Sequence, residues 1–535
     1  MLRPSLTLAC FLAPLGVATL LGDALPAQAH FAGAPPSRPP NIVYILTDDH
    51  ALQAISAYSG DRLVSTPQID RLASEGALFT RSYVGNSICS PSRASILTGL
   101  HSHAHGMVSI ISTHEPSVGH RTFDGTQQTF PKLLQAAGYT TAIRGKWHLY
   151  SDPTGFDSWM VYPGQGNYYN PEYLTPEGVK HYSGYTADVT TDLSLAFLRE
   201  QAPTGKPFFL AVHHKVPHRE FVPPIRYLDT FSRVALPEPP TLLDDYATRS
   251  HLLRAATMTI REHFNLADDL KVFPQDQPPE WLRRASAADQ EMLQRHYARR
   301  RADYERLQPT GDAFTRWAYQ AYMQDYLGCV KAVDESVGRI LDELERLGLA
   351  ENTLVVYASD QGFYLGEHGW YDKRWMYEES FAMPLIMRLP GVIKPGQRIE
   401  ALVQNIDHAP TLLNLAGTRP NTPMHGVSLL PLLRGERPAD WRRSLYYAYF
   451  ETWHGVAAHE GVATERYKLL RFPETGEWEL FDRQTDPHEL NNRALDPALA
   501  PVRAELESEL QRLRTQYAVP ADLPKAIPAL PASRS

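Results

Sequence analysis

The 535-residue chain reads as an α/β protein: a large mixed, mainly parallel sheet flanked by helices, then a smaller C-terminal α+β domain. Three observations predict this. Near-continuous apolar runs at residues 41–47, 140–143, 207–212 and 353–359 have the character of strands buried on both faces. Amphipathic helical patterns precede two of these runs. After Pro431 the pattern changes to short runs at 445–450, 463–470 and 478–482, followed by a helix near 499–517. Such a sequence predicts a small antiparallel sheet backed by one helix.

Taken in order, residues 1–29 have the form of a secretory signal. Arg3 supplies the charge, residues 6–21 are mostly apolar, and Ala27-Gln28-Ala29 is a small-residue cleavage site. Pro4, Pro14 and Asp23 argue against a membrane anchor, and no later stretch is apolar enough to span a bilayer. A secreted or periplasmic protein is expected. Cleavage removes Cys10 and leaves Cys89 and Cys329, too few for a disulfide framework. Cys329 falls in a helical pattern and reads as a core thiol.

The main domain is expected over 38–440, after a Pro-rich lead-in at 32–40. One helix carries Leu133 and Leu134 and stops near Gly138. A longer one spans about 314–347, with Tyr322, Tyr326, Val330, Val333, Val337, Leu341 and Leu344 at helical spacing and Gly348 as its stop. Between them, 219–315 is a polar insertion whose basic stretch at 295–301 reads as a solvated helix face rather than a polymer contact. The C-terminal domain is expected over 441–519, with a loose Pro-rich tail at 520–535.

Polar residues cluster where the buried runs end. Asp48-Asp49 follow the first, Arg144-Gly145-Lys146-Trp147-His148 the second, His213 to His218 the third, and Asp360-Gln361-Gly362 the fourth. Ligands in open α/β sheets bind outside the carboxyl ends of the strands, so four segments deliver carboxylates, lysines and histidines to one rim. The formal net charge of -8 argues against a nucleic-acid partner and leaves any anionic substrate to local positive charge.

Cys89 opens the run Cys89-Ser90-Pro91-Ser92-Arg93-Ala94-Ser95-Ile96-Leu97-Thr98-Gly99. Pro91 and the residues after it read as a helix start, which places Cys89 among unpaired backbone N–H groups at the positive end of the dipole. That position suits an anion, either a thiolate or an ester under attack. The surrounding oxygen-rich residues suit a hard cation and suit a soft thiolate poorly. An oxidised, oxygen-bearing side chain at position 89 removes the mismatch.

The pattern Cys-x-Pro-Ser-Arg-Ala-x-x-x-Thr-Gly resembles the signature of type I sulfatases of the alkaline-phosphatase superfamily. The resemblance extends through Asp48-Asp49, Gly145 to His148, Asp360-Gln361-Gly362, Gly366-Glu367-His368-Gly369, Lys373, Leu480-Phe481-Asp482 and Asp486-Pro487. It implies an alkaline-phosphatase-like fold and conversion of Cys89 to Cα-formylglycine by a separate maturation enzyme. It also implies one Ca²⁺ held by Asp48, Asp49, Asp360, Gln361 and residue 89. Relatives often carry Asn or His in the place of Gln361.

By the same resemblance, one hydroxyl of the hydrated aldehyde attacks sulfur. Arg93 and Lys146 steady the hydrate, Lys146 and Lys373 grip the sulfate oxygens, and His218 protonates the leaving alcohol. His148 takes the proton of the second hydroxyl as sulfate is expelled. Lys215 touches substrate, and Glu367, His368 and Arg374 face the sugar or brace the site. His101, His103 and His105 read as hydrogen-bonded structure rather than a second metal site.

The block from Asp360 to Arg374 is most similar to bacterial carbohydrate sulfatases acting on 6-O-sulfated N-acetylglucosamine of heparan-type glycans. The implied partner is a sulfated carbohydrate, and uronate 2-O-sulfates are the nearest competing substrates. Two readings from other classes stay open, a phosphomonoester or phosphonate hydrolase and a non-catalytic glycan-binding relative.

Overall fold

The four apolar runs are adjacent strands: β1 (Asn41–Asp48), β2 (Thr140–Gly145), β3 (Phe208–Pro217) and β4 (Thr353–Ser359). The computed structural model describes residues 36, 38–110 and 121–522, so the expected signal and all but the first residues of the Pro-rich tail lie outside it. No helix among the described residues is long and apolar enough to cross a membrane.

The ten-stranded sheet runs Gln397–Ile399, Ala77–Phe79, Leu385–Arg388, β4, β1, β3, β2, Ser158–Val161, Glu172–Thr175, Gly178–His181. The central strands β4, β1, β3 and β2 are mutually parallel, and antiparallel pairs appear toward both edges. The sheet is therefore mixed and mainly parallel, as expected.

Alternation along β1 explains why both faces are covered. Ile42, Tyr44 and Leu46 join one core with Phe130, Leu134, Ala409 and Leu412, while Val43 and Ile45 join another with Leu195, Leu198, Val333 and Val337. Hence helices α2 (Phe130–Ala136) and α6 (His408–Leu415) cover one face. Helices α3 (Thr186–Gln201) and α5 (Gly311–Arg346) cover the other. Helix α1 (Cys89–Thr98) lies buried along its whole length, and α4 (Ala287–Leu307) packs outside α5.

Two expectations need correction. Strand β3 continues to Pro217, so His213, His214 and Lys215 lie on the strand and not beyond it. The ladder with β1 persists after the apolar residues end because His213 and His214 find buried partners, Lys146 O at 3.0 Å and Ser336 Oγ at 2.9 Å. The run 463–470 is not one strand either. Thr464 Oγ1 accepts from Tyr467 N at 2.9 Å and turns the chain at Glu465-Arg466.

The C-terminal sheet therefore has four antiparallel strands, Ser444–Tyr449, His459–Thr464, Tyr467–Phe472 and Glu477–Asp482. Helix α7 (Ala500–Gln516) lays Leu506, Leu510 and Leu513 against Tyr446, Val462, Leu469 and Leu480. The basic stretch of α4 is occupied within the protein. Arg300 is paired with Asp325 at 2.5 Å, Arg295 with Glu291 at 2.5 Å, and Arg301 donates to Phe273 O at 3.0 Å.

Candidate active site

Strand register brings the chemistry to one edge. Ala358, Leu46, His213 and Gly145 lie side by side in β4, β1, β3 and β2, so Asp360, Asp48, His218 and Lys146 emerge beyond the same row. Gly145 makes the fit possible. Its φ is 104°, and a Cβ there would stand 1.9 Å from His213 O. The bare backbone instead lets Lys146 N donate to that carbonyl at 2.7 Å.

Cys89 is the first residue of α1 and is 1% exposed. The helix dipole does not make it a thiolate. Burial, reinforced by Asp48, pushes its thiol above the ordinary range, against the opposing pull of Lys146 and Lys373. Of the two anions that this position suits, the thiolate is thus disfavoured, and a neutral thiol is a poor nucleophile. Lys373 Nζ lies 3.3 Å from the sulfur and 2.5 Å from Asp49 Oδ1.

Around it lies a buried nest of carboxylates. One oxygen each from Asp48, Asp49 and Asp360 fall within 4.8 Å of one another, and so do the ligand atoms of Asp48, Cys89 and His218. Among the described residues no other group of His, Cys, Asp and Glu has ion-holding geometry, so His101, His103 and His105 form no such site. His105 is bonded to Ser95 Oγ at 3.0 Å and His103 to Tyr517 O at 2.8 Å.

The electrostatics of this nest are divided. Burial raises Asp49 to about 8 against the pull of Lys373, with Asp48 and Asp360 pushing the same way as burial. Burial and Asp48 likewise push Asp360 up to about 6, against Arg93 and Lys146. Asp48 goes the other way: burial would raise it, but Lys146, His218, Arg93 and Lys373 hold it well below the carboxylate range. Three buried oxygens, Asp48 Oδ1, Asp49 Oδ2 and Gln361 Oε1, have no hydrogen-bond partner. Orphaned, hard oxygen donors packed against like charges are the donor set a Ca²⁺ ion satisfies. Gln361 belongs to it, because its Nε2 donates to Asp49 Oδ1 and leaves Oε1 free.

Each remaining residue singled out from sequence has a definite place. Arg93 puts Nε and Nη2 each 2.9 Å from Asp360 Oδ2 and donates from Nη1 to Lys146 O at 3.0 Å. It serves the carboxylates. Lys146 Nζ is bonded to Asp48 Oδ2 and lies 2.5 Å from Gln165 Oε1. His218 bonds Arg219 O through Nδ1 at 2.6 Å and turns Nε2 toward Asp49 Oδ2 at 3.7 Å. Burial, with help from Lys146, Lys373 and Lys215, holds its imidazole well below the ordinary range despite Asp48. Lys215 lies 4.9 Å from the Tyr168 ring centre and donates to Arg219 O at 3.3 Å.

Glu367 and His368 are tied elsewhere. Glu367 accepts from Gln53 at 2.9 Å and from Leu365 N at 2.6 Å, and His368 bonds Asp244 at 2.9 Å. Among the described residues neither is hydrogen-bonded or ion-paired to Cys89, Asp49 or Lys373. Arg374 sits 3.2 Å from Asp372 Oδ2 and 3.6 Å from Glu451 Oε2, and His454 Nε2 is 3.9 Å from Asp372. Since Asp372 is also 3.7 Å from Lys373, these residues form a polar patch beside the reactive centre.

Sequence reasoning missed Tyr150, Gln165, Glu451 and His454. Only Tyr150 carried a signal, its place two residues after His148. The others are brought in by loops without local patterning.

Comparison with known proteins gives the family. The sulfatase family model matches residues 40–418, and the model for the C-terminal part of N-sulphoglucosamine sulphohydrolase matches 366–516. An N-acetylglucosamine-6-O-sulfatase of Bacteroides thetaiotaomicron is 43% identical over 496 residues, 89% of this chain and 87% of that protein. The solved structure of BT4656 with its substrate D-glucosamine-2-N,6-O-disulfate superposes with a TM-score of 0.86 at 41% identity, covering 90% of this chain and 98% of that one. A phosphonate monoester hydrolase from Silicibacter pomeroyi, at 24% identity and a TM-score of 0.67 over 89% of this chain and 96% of its own, shares the fold alone. Matched along its strands, its cysteine motif and its C-terminal sheet, the chain belongs to the sulfatase family, the hydrolases of sulfate esters.

Proposed function

We propose that the protein removes the 6-O-sulfate of N-acetylglucosamine or glucosamine units in heparan-type glycans, with residue 89 as Cα-formylglycine. The observation that carries this is likeness at 41–43% identity, over nearly the whole chain, to proteins named for that chemistry. The polar patch of Asp372, Arg374 and His454 supports it, because alternating donors and acceptors beside Lys373 suit the hydroxyls of a sugar ring.

Asp48, Asp49, Asp360 and Gln361, with residue 89, would hold one Ca²⁺. The formylglycine hydrate supplies an oxygen nucleophile and the ion a Lewis acid. The chain's own groups do the rest. Lys373 and Lys146 aim two buried side-chain amines at the site where sulfuryl oxygens gather charge, and burial strengthens their effect. His218 offers Nε2 to the departing oxygen. It is neutral in the free protein, and an incoming anionic ester favours its protonated form. His148 accepts a proton from residue 89.

Export through the leader at 1–29 and conversion of Cys89 by a maturation enzyme belong to the same proposal. N-terminal sequencing of exported protein should begin at His30. Peptide mass analysis of active protein should show formylglycine at position 89, and Cys89→Ala should be folded and inactive. Matured protein should then be assayed against 6-O-sulfated glucosamines and uronate 2-O-sulfates. Highest kcat/KM on the 6-O-esters is expected; preference for a uronate ester would overturn the assignment.

A further inference from the structure

A short chain of hydrogen bonds fixes which nitrogen of His148 carries its proton. Ser90 Oγ lies 2.6 Å from His148 O and 3.4 Å from His148 Nδ1. A carbonyl only accepts, so Ser90 spends its single hydroxyl proton on that carbonyl. Its oxygen can then only accept from the ring, and Nδ1 must bear hydrogen. As the base proposed above, the ring enters the step neutral and carries one proton. Nε2 is therefore a lone pair. At 2.8 Å from it stands the Tyr150 hydroxyl, which must be the donor.

We propose that Tyr150 is a positioning residue: it pins His148 as the Nδ1–H tautomer and holds the Nε2 lone pair in place as the base. This rests on the reading of His148 given above. His148 and Tyr150 both have φ of 57°, a left-handed backbone that turns their rings to the same side with centres 5.1 Å apart. Strain of this kind at two positions of one tight loop is costly unless the surroundings fix it, and here Ser90 and Tyr150 do so from opposite ends of the imidazole. Tyr150 is half-buried and so stands at the edge of the reactive pocket. The proton His148 takes up in turnover is received at Nε2, because Nδ1 is already protonated; the Tyr150 hydroxyl turns its hydrogen out of that lone pair as the proton arrives and then accepts from the new Nε2–H.

Two measurements test this. The first uses unconverted Cys89 protein labelled at histidine with ¹⁵N, with the His148 ring assigned by difference from His148→Gln. Wild type should show the Nδ1–H pattern, and Tyr150→Phe a mixture of tautomers. The second uses matured enzyme. Tyr150→Phe should lower kcat by roughly 10- to 100-fold while KM stays within a factor of about two. The loss should be equal on aryl and sugar sulfates, since the His148 step follows departure of the alcohol.

An Nε2–H pattern in wild type, unchanged kcat in Tyr150→Phe, or a loss confined to KM would each overturn the proposal. A merely structural role would lower Tm and leave the tautomer alone. Should the sulfatase reading fail instead, wild type would turn over no sulfate ester while the ring shift still reported Nδ1–H.

Discussion

Lys373 reaches the sulfur of Cys89 at 3.3 Å, though 284 residues separate them in the chain. The same ammonium is 2.5 Å from Asp49, and burial, which alone would lower its pKa, is outweighed by Asp49, Cys89 and Asp372, so it stays charged. A permanent cation at the reacting atom is worth about 4 kcal/mol to a sulfate oxygen 4 Å away at an effective dielectric near 20. Lys373→Met keeps the length and removes the charge. It should lower kcat/KM by roughly 10²- to 10³-fold on every sulfate ester. Steady-state kinetics with an aryl sulfate is the check.

His218 should behave differently, because its effect depends on the leaving group. His218→Gln keeps a donor to Arg219 O in reach but cannot protonate an alkoxide. On a sugar sulfate the rate should fall on the order of 10²–10⁴-fold, and on an aryl sulfate, whose oxygen leaves without help, much less. Equal losses on both would remove the general-acid role.

The proposed calcium site can be tested by heat. The oxygens of Asp48, Asp49 and Gln361 that lack a hydrogen-bond partner would gain one from the ion, so its binding and folding would be coupled. Adding Ca²⁺ to about 100 times its dissociation constant should stabilise the wild type by about 2.7 kcal/mol, and chelation should reverse it. In Asp49→Asn the calcium-dependent rise in Tm should be abolished. A full rise in that variant would place the ion elsewhere.

Glu479 predicts a pH dependence remote from the reaction. It is fully buried, accepts from Ser250 N at 2.7 Å and Tyr377 at 2.9 Å, and burial raises it to about 7 against both bonds. A carboxyl whose folded pKa lies above its unfolded one binds protons more tightly when folded. Its contribution to stability is full below about pH 4.5 and is lost as pH rises through about 7, a change of at most about 3 kcal/mol. Melting curves from pH 5 to 8 should therefore fall more steeply for wild type than for Glu479→Gln.

The strands and their polar ends were readable in advance because a parallel sheet buried on both faces demands long apolar runs, and their ends are abrupt. Asp48, Lys146, His218 and Asp360 follow from that alone. His213 and His214 were misplaced because their polarity hides a continuing strand, which buried partners make tolerable. Glu367 and His368 sit in the motif yet face Gln53 and Asp244, contacts formed with residues 314 and 124 positions away. Tyr150 escaped notice because its place two residues after His148 is a weak signal, and its importance lies in a lone pair on that neighbour.

The enclosure of α1 sets an order of events during biosynthesis. All ten of its residues are buried, Cys89 among them at the N-terminal end, so no second enzyme can grasp that side chain once the sheet has closed. Under the proposed conversion, oxidation must come while the chain is still open, and a molecule that folds early is locked into silence. The active fraction of any preparation is then decided at synthesis, and later incubation of native protein with the oxidising enzyme leaves it unchanged.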